Sequence, residues 1–329
     1  MNQQNIVLAG RICIDESGLS RKLKIKDSMS DQPPGKVDEK PNFIDLWATV
    51  NGTKLHFVQL GDGPTVVLVP GWPQSWYAWR LVMPLLAKSG RQVIACDPPG
   101  LGDSDLLPPG KKYDTGRVAD LLAEALHLLG IKRADLVGHD VGTWISFAYA
   151  ARHPDSLRRL VLMEAGVPGV TPESAFGLAN APKVFQFFFN AVPELPELLT
   201  RGKEREFLSW LFRTKSVNPH AISPAALDEY LRTYGDPARM SAGFEYYRAV
   251  LTNIAQNKSA RLQVPTLALG GEKGVGSTLH NALKNFTEDL QGGMIPGYGH
   301  YLAEECPDEL AQRILTFLGD TPCSEAEGA

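Results

Sequence analysis

At 329 residues, with 43% hydrophobic and 21% charged content, the chain can bury a large core and suits one large domain or a domain with an insert. A formal net charge of −4 and a pI near 6.0 exclude a global basic footprint for nucleic acid or an anionic membrane, so small molecules are the expected partners. No apolar run reaches the roughly 18 residues of a membrane span, and the apolar patch over residues 6–9 is too short for the core of a secretory signal.

Residues 1–40 are polar and mixed in charge, contain Pro33-Pro34-Gly35 and lack sustained periodicity, which predicts a mobile extension. Two β-prone runs, 46–50 and 54–58, then flank Asn51-Gly52, the signal of a tight hairpin. Short, nearly continuous apolar runs follow at 65–69, 92–96, 134–137, 160–163, 266–269 and 294–295, as expected of strands buried on both faces of a parallel sheet. Between them lie helical patterns, such as Val118, Leu121, Leu122, Ala125, Leu126 and Leu129 within 116–129. This alternation predicts an α/β fold with a mostly parallel central sheet.

The rhythm breaks between Met163 and Thr266, in a stretch rich in helix formers and aromatic residues. The expected division is a core of 41–167 and 259–320, a helical insert over 168–258 and a polar tail over 321–329. The four cysteines, Cys13, Cys96, Cys306 and Cys323, have neither metal-ligand spacing nor the density of a disulfide scaffold. They fit a soluble, reduced, cytoplasmic setting with Cys96 in a core strand; a secreted form with a bridge stays open.

The most informative stretch is Gly138-His139-Asp140-Val141-Gly142, at the junction of an apolar run and a helical pattern. A strand, a glycine-flanked sharp turn and a helix make a nucleophile elbow, in which the middle side chain stands above the sheet edge. Here that side chain is Asp140, so the nucleophile would be a carboxylate; ordinary turn chemistry is the plainer alternative. Pro70-Gly71-Trp72-Pro73 follows an earlier strand, and the amides of Trp72 and Val141 could together face one oxygen. His300, in the Gly297-Tyr298-Gly299-His300 loop after the last strand, has the place in chain order of a general base, whereas His139 reads as a packing residue. Two acids end strands where either could orient His300, Glu164 and Glu272.

With these motifs, Asp97-Pro98-Pro99-Gly100-Leu101-Gly102-Asp103-Ser104 and Gly299-His300-Tyr301-Leu302-Ala303-Glu304-Glu305, the sequence resembles the α/β-hydrolase superfamily over about residues 42–318. Within it the resemblance is to the branch of epoxide hydrolases and haloalkane or haloacetate dehalogenases that use Asp nucleophiles. The segments Phe244-Glu245-Tyr246-Tyr247-Arg248-Ala249 and Met163-Glu164-Ala165 resemble the epoxide hydrolase subgroup containing the bacterial inhibitory factor of the cystic fibrosis channel.

The resemblance implies an α/β-hydrolase fold with a helical cap, and a hydrolase that opens an epoxide to a vicinal diol through a covalent Asp140 ester. His300, held by Glu164, would activate water, and the Trp72 and Val141 amides would form the oxyanion hole. Tyr247 would protonate the ring oxygen, its plainer alternative being a core tyrosine. In many relatives the acid is an Asp at the position of Gly274, which is why Glu164 is preferred and Glu272 is second. A second lid donor is expected within 184–190, at Phe185 or Gln186, of which only Gln186 can donate. Pro70-Gly71 replaces the family's frequent His-Gly.

No metal or organic cofactor is implied. The expected partner is a small apolar epoxide-type substrate, and a homodimer stays open. Dehalogenation is the nearer alternative, although Val141 replaces the Trp or Arg that commonly follows the nucleophile in those enzymes. A non-hydrolytic cyclase or ligand-binding protein on the same fold is the alternative of a different class.

Overall fold

In the computed structural model, which describes residues 41–319, Asn51 and Gly52 take φ of 49° and 80°. Two successive positive φ values are what a tight hairpin of primed type requires. They join β1, Ile44–Val50, to β2, Thr53–Leu60, in antiparallel register. The remaining strands are β3 (Thr65–Val69), β4 (Gln92–Asp97), β5 (Ala134–His139), β6 (Leu157–Met163), β7 (Thr266–Gly271) and β8 (Leu290–Ile295).

These build one eight-stranded sheet in the order β1-β2-β4-β3-β5-β6-β7-β8, parallel from β4 to β8. Side-chain alternation explains why its strands read as unbroken apolar runs. Val66 and Leu68 enter a core beneath α1 (Met83–Lys88) and the C-terminal helix, whereas Val67 and Val69 enter a second core beneath α2 (Thr115–Leu128) and α3 (Val141–Arg152). Burial on both faces removes any need for polar alternation.

The chain leaves β3 toward β4 on one side and returns to place β5 on the other. The β3/β5 pair is therefore the topological switch point, where a crevice opens beyond the strand ends. Val69 is in register with Gly138 there, so the turns carrying Trp72 and Asp140 emerge side by side.

Between β6 and β7 lie two 3-10 turns and α4 (Ala181–Ala191), α5 (Leu195–Thr200), α6 (Glu204–Lys215), α7 (Pro224–Tyr234), α8 (Pro237–Arg248) and α9 (Val250–Asn257). Tyrosines clamp this insert onto the sheet's carboxyl edge. Tyr234 Oη donates to the Gln74 carbonyl at 2.6 Å, Tyr246 Oη to the Pro99 carbonyl at 2.8 Å, and Tyr230 Oη to Glu304 at 2.8 Å. Some insert aromatics thus serve as polar anchors rather than cavity wall. The chain then runs through α10 (Thr278–Leu283), α11 (Leu302–Glu305) and α12 (Pro307–Leu318).

Among the described residues no helix is long and apolar enough to cross a membrane. Cys96, in β4, and Cys306 are buried free thiols. The expected extension over 1–40, the tail over 321–329, Cys13 and Cys323 lie outside the described residues.

Candidate active site

Asp140 follows β5 with φ 54° and ψ −121°, a conformation that non-glycine residues rarely adopt. Several contacts hold it. The Asp140 amide donates to the Met163 carbonyl at 3.2 Å, and the Thr143 amide donates back to the Asp140 carbonyl at 2.9 Å. The buried Thr143 hydroxyl lies 2.7 Å from the Gly138 and Met163 carbonyls and accepts from the Met163 amide, tying β5, the turn and β6 together. Gly142 allows the close approach: a Cβ there would overlap the Val69 carbonyl.

The Trp72 amide donates to Asp140 Oδ1 at 3.1 Å. The Val141 amide opens α3 and forms no hydrogen bond with that carboxylate, so it remains a helix N-terminal donor beside it. The Asp97 motif fixes the Trp72 turn: Asp97 accepts from the Trp76 amide at 2.7 Å and the Asp103 amide at 3.0 Å, and is bonded by His56 Nδ1 at 2.7 Å.

His300 lies between two carboxylates. Its Nδ1 is 2.9 Å from Glu164 Oε2 and its Nε2 is 3.4 Å from Asp140 Oδ2. Its backbone is also fixed, with N–H donating to the Lys215 carbonyl at 2.9 Å and the carbonyl accepting from His139 Nε2 at 2.8 Å. Burial presses the imidazolium's pKa down, but hydrogen bonding to Asp140 and Glu164 outweighs it, and the net shift is upward from 6.5. Burial alone would raise the Asp140 pKa; its bond to His300 and the charges of His300 and Lys215 turn the net shift downward. His139 stacks on His300 with ring centroids 4.9 Å apart, and burial lowers its pKa to about 4, so it is a neutral neighbour.

Glu164, just past β6, has φ 54° and is 1% exposed. Its carboxylate also accepts from the Gly271 amide and, at 3.3 Å, from the Val275 amide. These donors counter the burial that raises its pKa. Glu272, the second candidate acid, is not brought to His300: its exposed carboxylate accepts from the Gly297 amide at 3.0 Å and pairs with Lys273 at 3.1 Å. Glu272 lies just past β7, in a turn closed by the Gly274 amide donating to the Gly271 carbonyl at 2.9 Å, and its side chain is exposed.

A cavity of about 400 Å³ opens over this centre, bordered by Asp140, Glu164 and His300 below and by Trp144, Phe176, Gln186, Phe187 and Trp210 around it. Tyr247 does not border it. The ring is 2% exposed and packs edge-on against Trp144, Phe187 and Trp72, with centroids 5.3, 5.6 and 5.8 Å away. Burial and the nearby Asp140 charge hold its hydroxyl pKa well above the usual value.

Gln186 borders the cavity, and the carboxamide orientation that satisfies both of its ends has Nε2 donating to the Lys183 carbonyl at 3.2 Å and Oε1 accepting from Lys215 Nζ. Phe185, the other residue considered there, packs on Trp210. Lys215 was not legible in the sequence, since a basic residue ending a helix ordinarily complements the helix dipole.

A family model described as the alpha/beta hydrolase fold matches residues 64–307. The soluble epoxide hydrolase of a Corynebacterium species is 30% identical over 278 residues, covering 82% of this chain and 96% of its own length. Among solved structures, wild-type Cfl2 from Burkholderia cenocepacia superposes with TM-score 0.80 at 41% identity, over 85% of this chain and 97% of that one. The ligand-free epoxide hydrolase CorEH superposes with TM-score 0.79 at 28% identity, over 84% and 99%.

Proposed function

This hydrolase belongs to the alpha/beta hydrolase fold family, in its epoxide hydrolase-like branch, and from that premise we propose that it opens an epoxide to a vicinal diol through an ester on Asp140. The observation that carries the reading is the position of His300 Nε2, 3.4 Å from the Asp140 carboxylate, with Glu164 behind its Nδ1 and the cavity in front.

Asp140 Oδ1 is held by the Trp72 amide, which leaves Oδ2 to attack an epoxide carbon. The carbon–oxygen bond breaks and the ring oxygen takes a proton from a donor on the helical cap, for which Tyr247 is the candidate. Esterification removes the Asp140 charge that helps to hold His300 protonated, so the imidazole pKa falls and the neutral base becomes available. His300 then takes a proton from water as it attacks the Asp140 carboxyl carbon, while Glu164 stabilises the imidazolium. The oxyanion develops beside the Trp72 and Val141 amides. The tetrahedral intermediate collapses by breaking the acyl carbon–oxygen bond, the diol alkoxide takes the proton from the His300 imidazolium as it departs, and the Asp140 carboxyl releases its proton to solvent to return as carboxylate.

Halide displacement by the same Asp140 carboxylate is the second reading; the buried Trp72 Nε1–H has no acceptor among the described residues, but it lies against Gly243 and does not border the cavity. Intact-mass measurement of the His300→Gln chain, incubated with epoxides and haloalkanes and followed by peptide mapping, separates the two. An adduct on Asp140 equal to the whole epoxide supports epoxide opening. An alkyl adduct without its halogen, obtained with haloalkanes alone, moves the assignment to dehalogenation. No adduct on a folded chain removes the ester mechanism.

A further inference from the structure

Lys215 ends α6 and borders the same cavity as Asp140 and His300, although nothing in the preceding mechanism uses it. Three lysines border this cavity. Lys183 Nζ donates to the Gly274 carbonyl at 3.3 Å and Lys273 pairs with Glu272 at 3.1 Å, both at the exposed side. Lys215 is the one whose charge bears on Asp140, His139 and His300. No carboxylate among the described residues closes an ion pair with it, and in the orientation that satisfies the Gln186 carboxamide its side-chain partner is the Gln186 oxygen.

We propose that Lys215 Nζ is a catalytic donor to the epoxide oxygen, a role that rests on the ester mechanism above. Gln186 stands on α4 within the segment expected to hold the second donor, but in the orientation that satisfies its carboxamide the oxygen, not the nitrogen, faces Lys215. It therefore acts as an acceptor that aims the ammonium, and the proton comes from the lysine. An ammonium has three N–H bonds and one is engaged by Gln186, leaving donors for a ligand.

The backbone placement is tight. The Lys215 carbonyl accepts from the His300 amide at 2.9 Å, and Glu305 accepts from the Val217 amide at 2.7 Å and the Gly299 amide at 3.3 Å. The end of α6 and the histidine loop therefore keep a fixed separation. Burial lowers the Lys215 pKa, and the charges of Asp140 and Glu164 oppose that shift in part. Tyr247, outside the cavity wall, is less directly placed for the same oxygen.

The step balances. Asp140 Oδ2 forms a bond to carbon, the carbon–oxygen bond breaks toward oxygen, and Lys215 Nζ–H supplies the proton to give an alcohol and a neutral amine. His300 later takes one proton from water and passes it to the departing alkoxide, and exchange with solvent restores Lys215 and Asp140, so the net addition is one water. A halide leaves as an anion and takes no proton, so displacement of halide does not require Lys215 as an acid.

The test compares single-turnover adduct formation in His300→Gln and His300→Gln/Lys215→Met chains, using a terminal aliphatic epoxide and the bromoalkane of the same carbon chain. Methionine keeps the backbone bond to residue 300 and most of the side-chain volume. The expected result is epoxide adduct formation slowed by about 100-fold or more with Lys215→Met, a bromide rate changed by less than about threefold, and no recovery of the epoxide rate with Lys215→Arg, whose guanidinium does not release a proton. Equal slowing of both substrates, no slowing of the epoxide, or a parental epoxide rate with Lys215→Arg overturns the donor role while leaving the Asp140 ester intact. If the bromoalkane forms no adduct, the pH dependence of the epoxide rate decides: loss with Lys215→Met of the fall in rate toward high pH supports the donor role, and an unchanged profile overturns it. Absence of any epoxide adduct in the His300→Gln chain itself overturns the ester mechanism and this proposal together.

Discussion

The carboxylate of Glu164 fills the space that a side chain at Gly274 would enter: a Cβ on Gly274 would overlap both Glu164 carboxylate oxygens. The two positions are therefore mutually exclusive as sources of the acid that orients His300. Gly274→Ala should push Glu164 off His300 Nδ1 and lower turnover by about 100-fold or more, because a misoriented base loses most of its contribution. Gly274→Asp combined with Glu164→Ala should recover part of that loss, since the new carboxylate would enter the vacated volume. Glu272→Gln should leave turnover within about twofold of the parent, because its carboxylate faces solvent. Steady-state kinetics on one epoxide ranks all three, and parental turnover in the Gly274→Ala chain would contradict the exclusion.

The pH dependence follows from the upward shift of His300. General-base hydrolysis needs the neutral ring, so decay of the Asp140 adduct should slow as pH falls through the His300 pKa of the ester form. Before reaction, with Asp140 charged, the folded pKa lies above 6.5. Stability runs the other way: the contribution of this raised pKa is fully present below 6.5 and is lost as pH rises through the folded value. Rapid-quench adduct decay and thermal unfolding, each followed from about pH 5 to 9, should therefore slope in opposite senses. His300→Gln should remove this residue's part of the stability slope.

Tyr247→Phe reports on the aromatic wall. With Tyr247 rather than Lys215 as the donor, this change should slow epoxide adduct formation by about tenfold or more while sparing halide displacement. Equal small losses on both substrates would make Tyr247 a packing residue behind Trp144 and Phe187, where its edge-on contacts place the ring.

Glu304 joins the insert to the core. Its fully buried carboxylate receives two bonds of 2.8 Å from Arg80 and one of 2.8 Å from Tyr230. Glu304→Ala leaves a largely buried guanidinium unpaired and should cost about 3–5 kcal/mol in urea unfolding. Tyr230→Phe, which removes one donor and keeps the ring, should cost roughly 1.5–3 kcal/mol.

The sequence by itself determined the strands, the elbow, the nucleophile candidate and the position of His300 after the last strand, because each rests on local rules. Apolar runs buried on both faces mark parallel strands, and Gly-x-Asp-x-Gly between a strand and a helix marks a strained turn. The absence of a side chain at Gly274 was also visible as a missing acid.

Only the tertiary structure decided between Glu164 and Glu272, since both end strands and the choice depends on which carboxylate the neighbouring turn turns inward. Folding alone also brought Lys215 to the cavity and turned Gln186 toward it. Those two residues lie 29 positions apart on different helices, and their meeting is set by how α6 seats against α4 and the histidine loop. Periodicity assigns residues to helices and strands, whereas cavity geometry depends on the packing of whole elements that have no common repeat.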